Sequence, residues 1–342
     1  MKKVIVLLSG GLDSSFAAYI LKKSGYHITG LVLKITDDFP DETDIHNLKV
    51  LQKKLNIKIL FKDVRHEFNE KIVKDFIETY KMGHTPNPCA LCNPMIKFYH
   101  GFRVMRESGF DFVASGHYAD KGYYKNHLTL KMARDKTKTQ EYFLARLPVR
   151  YIKNILFPLA GYTKKYIKEE AHRIFPDIIP RGESQDICFL RGMELTEFLE
   201  KHRAVIHGNM VYKNEIVKRD INILSFTRGQ RRGIDFAAGH RVYVKNINVN
   251  LKAVEIGEKD ELMVNEFTIK NPIFYLPRNL IKKCYVRVRY SKKAAPCTLQ
   301  FKDPDLVKVF LNTPLYTVTL GQLAVFYRDE YVLGSGWINS LI

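Results

Sequence analysis

The sequence predicts an α/β protein. Its N-terminal part reads as a doubly wound parallel sheet, followed by a small, mainly-β central domain and a C-terminal antiparallel β-barrel. Three observations carry this reading. An apolar stretch at residues 4–8 runs into Ser9-Gly10-Gly11-Leu12-Asp13-Ser14-Ser15, a glycine- and hydroxyl-rich turn that opens a helix. Strand-like and helix-like segments then alternate at the spacing of parallel strands with crossover helices. Beyond about residue 200, glycines and short β-branched runs replace the helical pattern.

Residues 4–8 form an uninterrupted apolar run, as expected of a strand covered on both faces. Gly10 and Gly11 allow close backbone approach, and Ser9, Ser14, Ser15 and the free N–H groups at the helix start offer donors to a pyrophosphate. The string carries no lysine, so it matches neither the Gly-x-x-x-x-Gly-Lys-Ser/Thr loop nor the Gly-x-Gly-x-x-Gly fingerprint. A helix over 14–24, a strand at 28–34, a helix over 44–55 and a strand at 57–63 follow, then a helix over 66–81. Next comes a cysteine-rich turn at 86–93, a further helix, and a strand at 112–114 leading into Ser115-Gly116-His117-Tyr118. This layer places its ligand crevice at the carboxyl ends of the strands, where the Ser-Gly-Gly turn and Gly116-His117 both fall. Strand-like runs at 209–213, 242–246 and 252–256 mark the central domain. Those at 285–290, 297–301, 307–310 and 323–327 mark the barrel. The division expected is 1–200, 201–264 and 265–342.

The 342 residues carry 55 Lys and Arg against 36 Asp and Glu, a net charge of +19 spread along the chain, which favours a polyanionic partner such as RNA or DNA. No run of about 18 apolar residues occurs, and the N-terminus flows directly into the first strand, so a cytoplasmic protein with no membrane partner is expected. Five cysteines are an odd number in a long chain, which argues against a disulfide framework. Cys284 and Cys297 lie in strand-like patterns of the barrel and read as core. Cys89 and Cys92 sit in Thr85-Pro86-Asn87-Pro88-Cys89-Ala90-Leu91-Cys92-Asn93, where two prolines stiffen the turn and a following helix start would stabilise a Cys92 thiolate. Half of a zinc site and a thioredoxin-like pair also have this spacing. The first lacks a second Cys-x-x-Cys and the second has the wrong flanks. Cys188, in Gly182-Glu183-Ser184-Gln185-Asp186-Ile187-Cys188-Phe189-Leu190, taken alone reads as a buried thiol.

Taken together, these strings resemble the tRNA-specific 2-thiouridylases, a family of PP-loop ATP pyrophosphatases. The resemblance runs through Ser9 to Ser15, Gly30-Leu31-Val32-Leu33-Lys34, the Thr85 to Asn93 segment with Ile96-Lys97-Phe98, and Ser115-Gly116-His117-Tyr118-Ala119. It continues through Gln140-Glu141-Tyr142-Phe143-Leu144, Ser184 to Phe189, Phe226-Thr227-Arg228-Gly229-Gln230-Arg231-Arg232-Gly233, Arg287-Val288-Arg289-Tyr290 and Gly321-Gln322-Leu323-Ala324-Val325-Phe326-Tyr327. It implies that Leu7, Leu8, Ser9, Gly10, Gly11, Leu12, Asp13 and Ser14, with Leu33 and Gly116, hold ATP, and that Asp13 serves Mg²⁺ or orders the loop, an N-cap role being open to it as well. Cys92 is then the nucleophile and Cys188 the persulfide carrier. Asn87, Pro88 and Cys89 face the target base, and His117, Lys138, Thr139, Gln140, Arg289, Tyr290 and Gln322 contact tRNA.

The activity implied is sulfur transfer to C2 of the wobble uridine of glutamate, glutamine and lysine tRNAs. ATP activates the oxygen, AMP and pyrophosphate leave, and a cysteine desulfurase or relay protein donates the sulfur. Many family members have Asp at the position of Cys89, many read Lys-Asp-Gln where this chain has Lys138-Thr139-Gln140, and Leu33 replaces a frequent methionine. The extra thiol opens an alternative, an iron–sulfur cluster on Cys89, Cys92 and Cys188. A non-catalytic RNA-binding protein is the reading from a different class. Arg231, Arg232, Arg287 and Arg289 are candidates for phosphate contacts.

Overall fold

A computed structural model describes residues 1–180, 187–190, 192–291 and 293–342. The chain divides into two compact units. The first comprises Met1–Ile72, Cys89–Gln185 and Asp329–Leu333; the second comprises Val73–Pro88, Asp186–Arg328 and Gly334–Ile342.

In the first unit, β1 (Lys3–Leu8) leads through the Ser-Gly-Gly turn into α1 (Leu12–Lys23), then β2 (His27–Lys34), α2 (Glu42–Leu55) and β3 (Lys58–Asp63). Val4, Ile5 and Val6 are fully buried, as a central strand requires. Asp41 and Asp44 close α2 with a reciprocal capping box, and Asn56, in the left-handed region, ends it. The helix expected over 66–81 is present but interrupted: α3 (Arg65–Phe68), a π-turn (Asn69–Val73) and α4 (Lys74–Lys81), which passes into the second unit. The cysteine-rich turn is itself helical. Pro88, suited to a first helical turn by its fixed φ, opens α5 (Pro88–Cys92), which continues through a π-turn (Asn93–Lys97) into α6 (Phe98–Glu107). β4 (Phe112–Ser115) follows. Next come a β5–β6 hairpin (Ala119–Tyr124, His127–Met132) that the sequence reading did not anticipate, α7 (Glu141–Leu144), α8 (Val149–Ile152), β7 (Ile155–Leu156) and α9 (Lys164–Ile174).

The sheet order is β3-β2-β1-β4-β7, parallel at every pairing. The order reverses between β1 and β4, so the loops after these two strands lie side by side at the topological switch point.

The second unit carries α10 (Leu195–Lys201) and a four-stranded sheet, β10-β11-β8-β9, from β8 (His207–Tyr212), β9 (Glu215–Asn222), β10 (Tyr243–Asn248) and β11 (Ala253–Gly257). β12 (Val264–Phe274), β13 (Lys283–Arg287), β14 (Ala295–Phe301), β15 (Leu306–Leu315), β16 (Leu323–Arg328) and β17 (Tyr331–Leu341) follow. They form an antiparallel barrel in the order β12-β15-β14-β13-β16-β17, closed by β12 pairing with β17. Cys284 and Cys297 face each other across β13 and β14 with 3.6 Å between sulfurs, both buried in its core as expected. Their mutual contact and burial push the Cys297 thiol pKa up.

Candidate active site

The glycine-rich turn is built to present backbone. Gly10 sits at φ +73°, and a Cβ there would lie 2.9 Å from the Asp44 carboxylate. Gly11 precedes α1 with no side-chain cap, leaving the first N–H groups of the helix directed out of its end. The hydroxyls are used differently from expectation. Ser14 Oγ donates to Gly11 O (2.9 Å) and accepts from Ser9 N–H (3.2 Å), while Ser15 Oγ donates to Gly11 O (3.1 Å). These two serines therefore hold the loop's shape, the exposed Ser9 hydroxyl accepts from Gly11 N–H (3.4 Å), and the donors left facing outward are the amides at the start of α1. Gly116, just past β4, packs directly on this helix start: a Cβ on it would meet the Ser14 amide nitrogen at 2.9 Å. Leu33, at the end of β2, is buried and Leu7 half-buried on β1.

Asp13 occupies the second position of α1, so it is not an N-cap. Its carboxylate accepts from Tyr118 Oη at 2.8 Å and from Lys164 Nζ at 2.7 and 2.6 Å. Lys164 lay outside the sequence reading, as did Asn47. That residue, fully buried on α2, donates Nδ2 to Gly10 O (3.0 Å) and Ile179 O (3.1 Å) and accepts from Ile179 N–H at Oδ1 (2.8 Å). Neither belongs to a motif. Each meets the loop across a sequence separation that periodicity does not reveal.

Cys89 and Cys92 stand one turn apart on α5, Cys89 exposed and Cys92 buried at 5 %. Their helix is fixed beside Gly116-His117: Asn93 Nδ2 donates to Phe143 O at 2.9 Å, and the Phe98 ring lies 6.1 Å from the His117 imidazole. Burial, with the Lys97 charge adding to it, pushes the His117 pKa down to about 3. His117 is thus a neutral imidazole, with Nδ1 hydrogen-bonded to Ser115 Oγ at 3.0 Å, and offers a hydrogen bond instead of a cation.

Cys188 is exposed, contrary to its default reading as a buried thiol. It lies on a turn closed by Leu190 N–H to Ile187 O (3.0 Å), and Phe189 beside it packs against Phe76 (5.1 Å) and Phe198 (5.5 Å). Ser184, Gln185 and Asp186 of its motif lie outside the described residues. Among the described residues, no three His, Cys, Asp or Glu side chains gather as a metal-holding group.

The expected tRNA-contacting residues divide by exposure. Thr139 is buried at 2 %, its hydroxyl held by Ala133 N–H (2.9 Å) and the Glu141 carboxylate. Gln140 Oε1 accepts from Tyr118 N–H at 2.9 Å, so this pair shapes the turn, while Lys138 beside it is half-exposed. In the second unit, Gln322 Nε2 donates to Thr85 O (3.2 Å) and Pro86 O (2.8 Å), positioning the turn that carries Asn87 and Pro88. Gly321, at φ +82°, leaves the room for that approach: a Cβ would lie 2.9 Å from Thr85 O. Arg289 Nη2 donates to Arg228 O and Thr319 Oγ1, both at 2.6 Å, with Tyr290 half-buried next to it. Arg231 and Arg232 are exposed, and Arg231, Phe236, His240 and Arg241 line a cavity of about 440 Å³.

Residues 2–192 match the family described as tRNA methyl transferase HUP domain, and residues 264–338 the aminomethyltransferase beta-barrel domain. Full-length relatives share both regions at once. The chain is 34 % identical to tRNA-specific 2-thiouridylase MnmA 1 of Aliarcobacter butzleri, covering 99 % of each chain. It is 36 % identical to tRNA-specific 2-thiouridylase MnmA of Fervidobacterium nodosum (98 % of this chain, 99 % of the relative) and 34 % identical to that of Syntrophotalea carbinolica (98 % of each). Among the described residues no helix is long and apolar enough to cross a membrane. Matched end to end by relatives named for thiolation, the chain belongs to the tRNA-specific 2-thiouridylase family, a family of sulfur-transferring enzymes.

Proposed function

We propose that this protein is a tRNA 2-thiouridine synthase acting on the wobble uridine of glutamate, glutamine and lysine tRNAs. The observation that supports the reading is that the helical run beginning at Pro88, which carries Cys92, is tied through Asn93 to Phe143 and through Phe98 to His117, whose neighbour Gly116 packs on the start of α1.

ATP is held by the loop from Leu7 to Ser14, with Leu33 under the base and Gly116 closing the cradle. The fit rests on the uncapped α1 start and on two glycines whose Cβ positions are filled by neighbours. Mg²⁺, carried in with ATP, supplies charge neutralisation at the phosphates. Uridine C2 is an amide-like carbonyl, so its oxygen must become a leaving group. The oxygen bonds to the α-phosphorus and pyrophosphate departs, with rate supplied by positioning and charge balance. Sulfur reaches Cys188 as a persulfide from a cysteine desulfurase or relay protein, for which an exposed thiol on an anchored turn is suited. Attack by the Cys92 thiolate on the Cys188 sulfur releases hydrosulfide to C2, AMP leaves, and the resulting Cys92–Cys188 disulfide is reopened by a cellular thiol reductant.

Asn87, Pro88 and Cys89 face the splayed base, and His117, Lys138, Arg289, Tyr290 and Gln322 border the RNA. In this reading Thr139 and Gln140 serve by holding the Tyr118 turn. The three-domain division, catalytic 1–200, central 201–264 and barrel 265–342, follows the same reading, as does cytoplasmic action.

Nucleoside mass spectrometry on unmodified tRNAs incubated with ATP, Mg²⁺ and a persulfide donor tests this. A 2-thiouridine peak lost in Cys92→Ala and Cys188→Ala supports it, and pyrophosphate release with no thiolated product overturns it. Exposed Cys89, one turn before Cys92, favours examining the alternative chemistry as well, in which Cys89, Cys92 and Cys188, not gathered as a metal-holding group among the described residues, would hold an iron–sulfur cluster as the source of sulfide. Iron and sulfide counting after anaerobic reconstitution decides between the two.

A further inference from the structure

A phosphate loop of the Lys-bearing type carries its cation within the motif, but no lysine stands between Ser9 and Ser15. The fold brings one from elsewhere. Lys164, the first residue of α9, is 151 positions from Asp13, yet its Nζ lies 2.7 and 2.6 Å from the two carboxylate oxygens of that residue in the first turn of α1. The ammonium also sits 5.5 Å over the ring of Tyr118, whose hydroxyl donates to the same carboxylate at 2.8 Å.

The lysine is held firmly at its base. Its backbone N–H donates to Asp135 Oδ2 at 3.0 Å, Thr163 caps the helix by accepting from Tyr166 N–H, and the side chain is only 21 % exposed. This is a costly place for a cation. The first turn of α9 holds Lys164 and Lys165 and no acid, although a helix start repels positive charge. Leaning back past the start of its helix, the side chain reaches the Asp13 carboxylate.

The local charge balance points to an anionic ligand. Lys164 neutralises Asp13, which leaves the positive end of the α1 dipole uncompensated beside the amides of the loop. An ammonium has three N–H donors, and two are committed to the Asp13 oxygens. The Tyr118 hydroxyl keeps Asp13 bonded if the ammonium turns.

We propose that Lys164 is the phosphate-binding cation of this site, contacting the pyrophosphate half of the nucleoside triphosphate, with Asp13 and Tyr118 as the residues that aim it. In the activation step the uridine oxygen bonds to the α-phosphorus, and the bond from that phosphorus to the bridging oxygen breaks. The electron pair leaves on pyrophosphate, whose added charge Lys164 balances. Asp13 is thereby an orienting carboxylate and not a metal ligand. The inference rests on the ATP reading of the loop.

The test is calorimetry on the full-length chain with ATP, inorganic pyrophosphate and AMP, each with Mg²⁺, for the natural protein, Lys164→Met and Lys164→Arg. Loss of one charge-assisted hydrogen bond is expected to weaken ATP and pyrophosphate binding roughly 10- to 100-fold in Lys164→Met while AMP binding stays within about twofold, with Lys164→Arg recovering most of the loss. Equal weakening of AMP and ATP would reduce Lys164 to a scaffold residue and overturn the proposal, as would unchanged pyrophosphate affinity. Lys164→Gln, which keeps a donor for Asp13 without the charge, carries the same expectations if the methionine variant does not fold. If the natural protein binds none of the three ligands, the ATP reading fails together with this one. If it binds ATP and Lys164→Met retains pyrophosphate affinity, this one alone fails.

Discussion

The two segments that carry Cys92 and Cys188 solve opposite problems. Cys92 is buried at 5 % in an unbroken helical run from Pro88 to Glu107, and its neighbours Asn93 and Phe98 are tied to Phe143 and His117. Cys188 is exposed on a short turn anchored through Phe189 to an aromatic cluster. In the proposed relay, burial shields the attacking thiol from adventitious oxidation, whereas the thiol that would take sulfur from another protein is reachable. Cys284 and Cys297 show a third condition, thiols packed against each other in a barrel core.

The largest effect expected from this contrast is a split by sulfur source. Cys92→Ala should abolish 2-thiouridine formation when sulfur is supplied as a protein persulfide and retain product with free sulfide, which no thiol has to release. Cys188→Ala should abolish it with the persulfide and retain product with sulfide. Product counting in the four combinations checks this, and a Cys188→Ala variant inactive with sulfide as well would place Cys188 in the chemical step itself. Mass mapping after brief iodoacetamide treatment should find Cys89 and Cys188 alkylated well before Cys92, Cys284 and Cys297.

The anchor of the Cys188 turn sets the next effect. Phe76 is fully buried and meets Phe189 at 5.1 Å and Phe198 at 5.8 Å, so Phe76→Ala removes a central ring at a cost of about 3–5 kcal/mol. Thermal unfolding should move down accordingly, and persulfide-dependent turnover should fall while ATP binding persists. Loss of ATP binding to the same degree would mean that the aromatic cluster supports far more than this turn.

Much of the first unit was legible because its site is made of backbone. An apolar run, two glycines and a helix start specify a phosphate cradle through local rules, and Gly116 fits the same logic one strand away. The loop's supports were not legible. Lys164 and Asn47 reach it across 151 and 37 positions, and each reads in sequence as an ordinary helix residue. The segment 86–93 read as a turn because two prolines stand in it, yet Pro88 is an acceptable first helical residue, and the helix it begins decides which cysteine is buried. Thr139 and Gln140 read as surface contacts since polarity alone does not distinguish a side chain facing RNA from one spent on a neighbouring amide.

Acid should act on the Cys92 side of the comparison through His117. Its folded-state pKa is pushed down to about 3 by burial, while the unfolded chain binds a proton near the usual 6.5. Between those values the unfolded state holds the extra proton, so this contribution is intact above about pH 6.5 and is lost progressively as pH falls toward 3. Burial lowers His100 in the same unit in the same direction. Thermal melts across this range should show Tm falling with pH, and His117→Gln should flatten the fall. A His117→Gln curve parallel to that of the natural protein would mean that the imidazole is not held neutral in the folded state.

The smallest expected effect concerns Cys89. It is exposed and opens no cavity when changed, so Cys89→Asp should alter stability by no more than about 0.5 kcal/mol. In the persulfide route it only borders the base, and thiolation should continue at a similar rate. In the cluster route it is one of three iron ligands, and the same substitution should remove bound iron and, with it, anaerobic sulfide-dependent product. The variant that perturbs the fold least therefore separates the two chemistries most directly: an aspartate at this position sustains a relay between two thiols, but it is a poor substitute for a thiolate that holds iron.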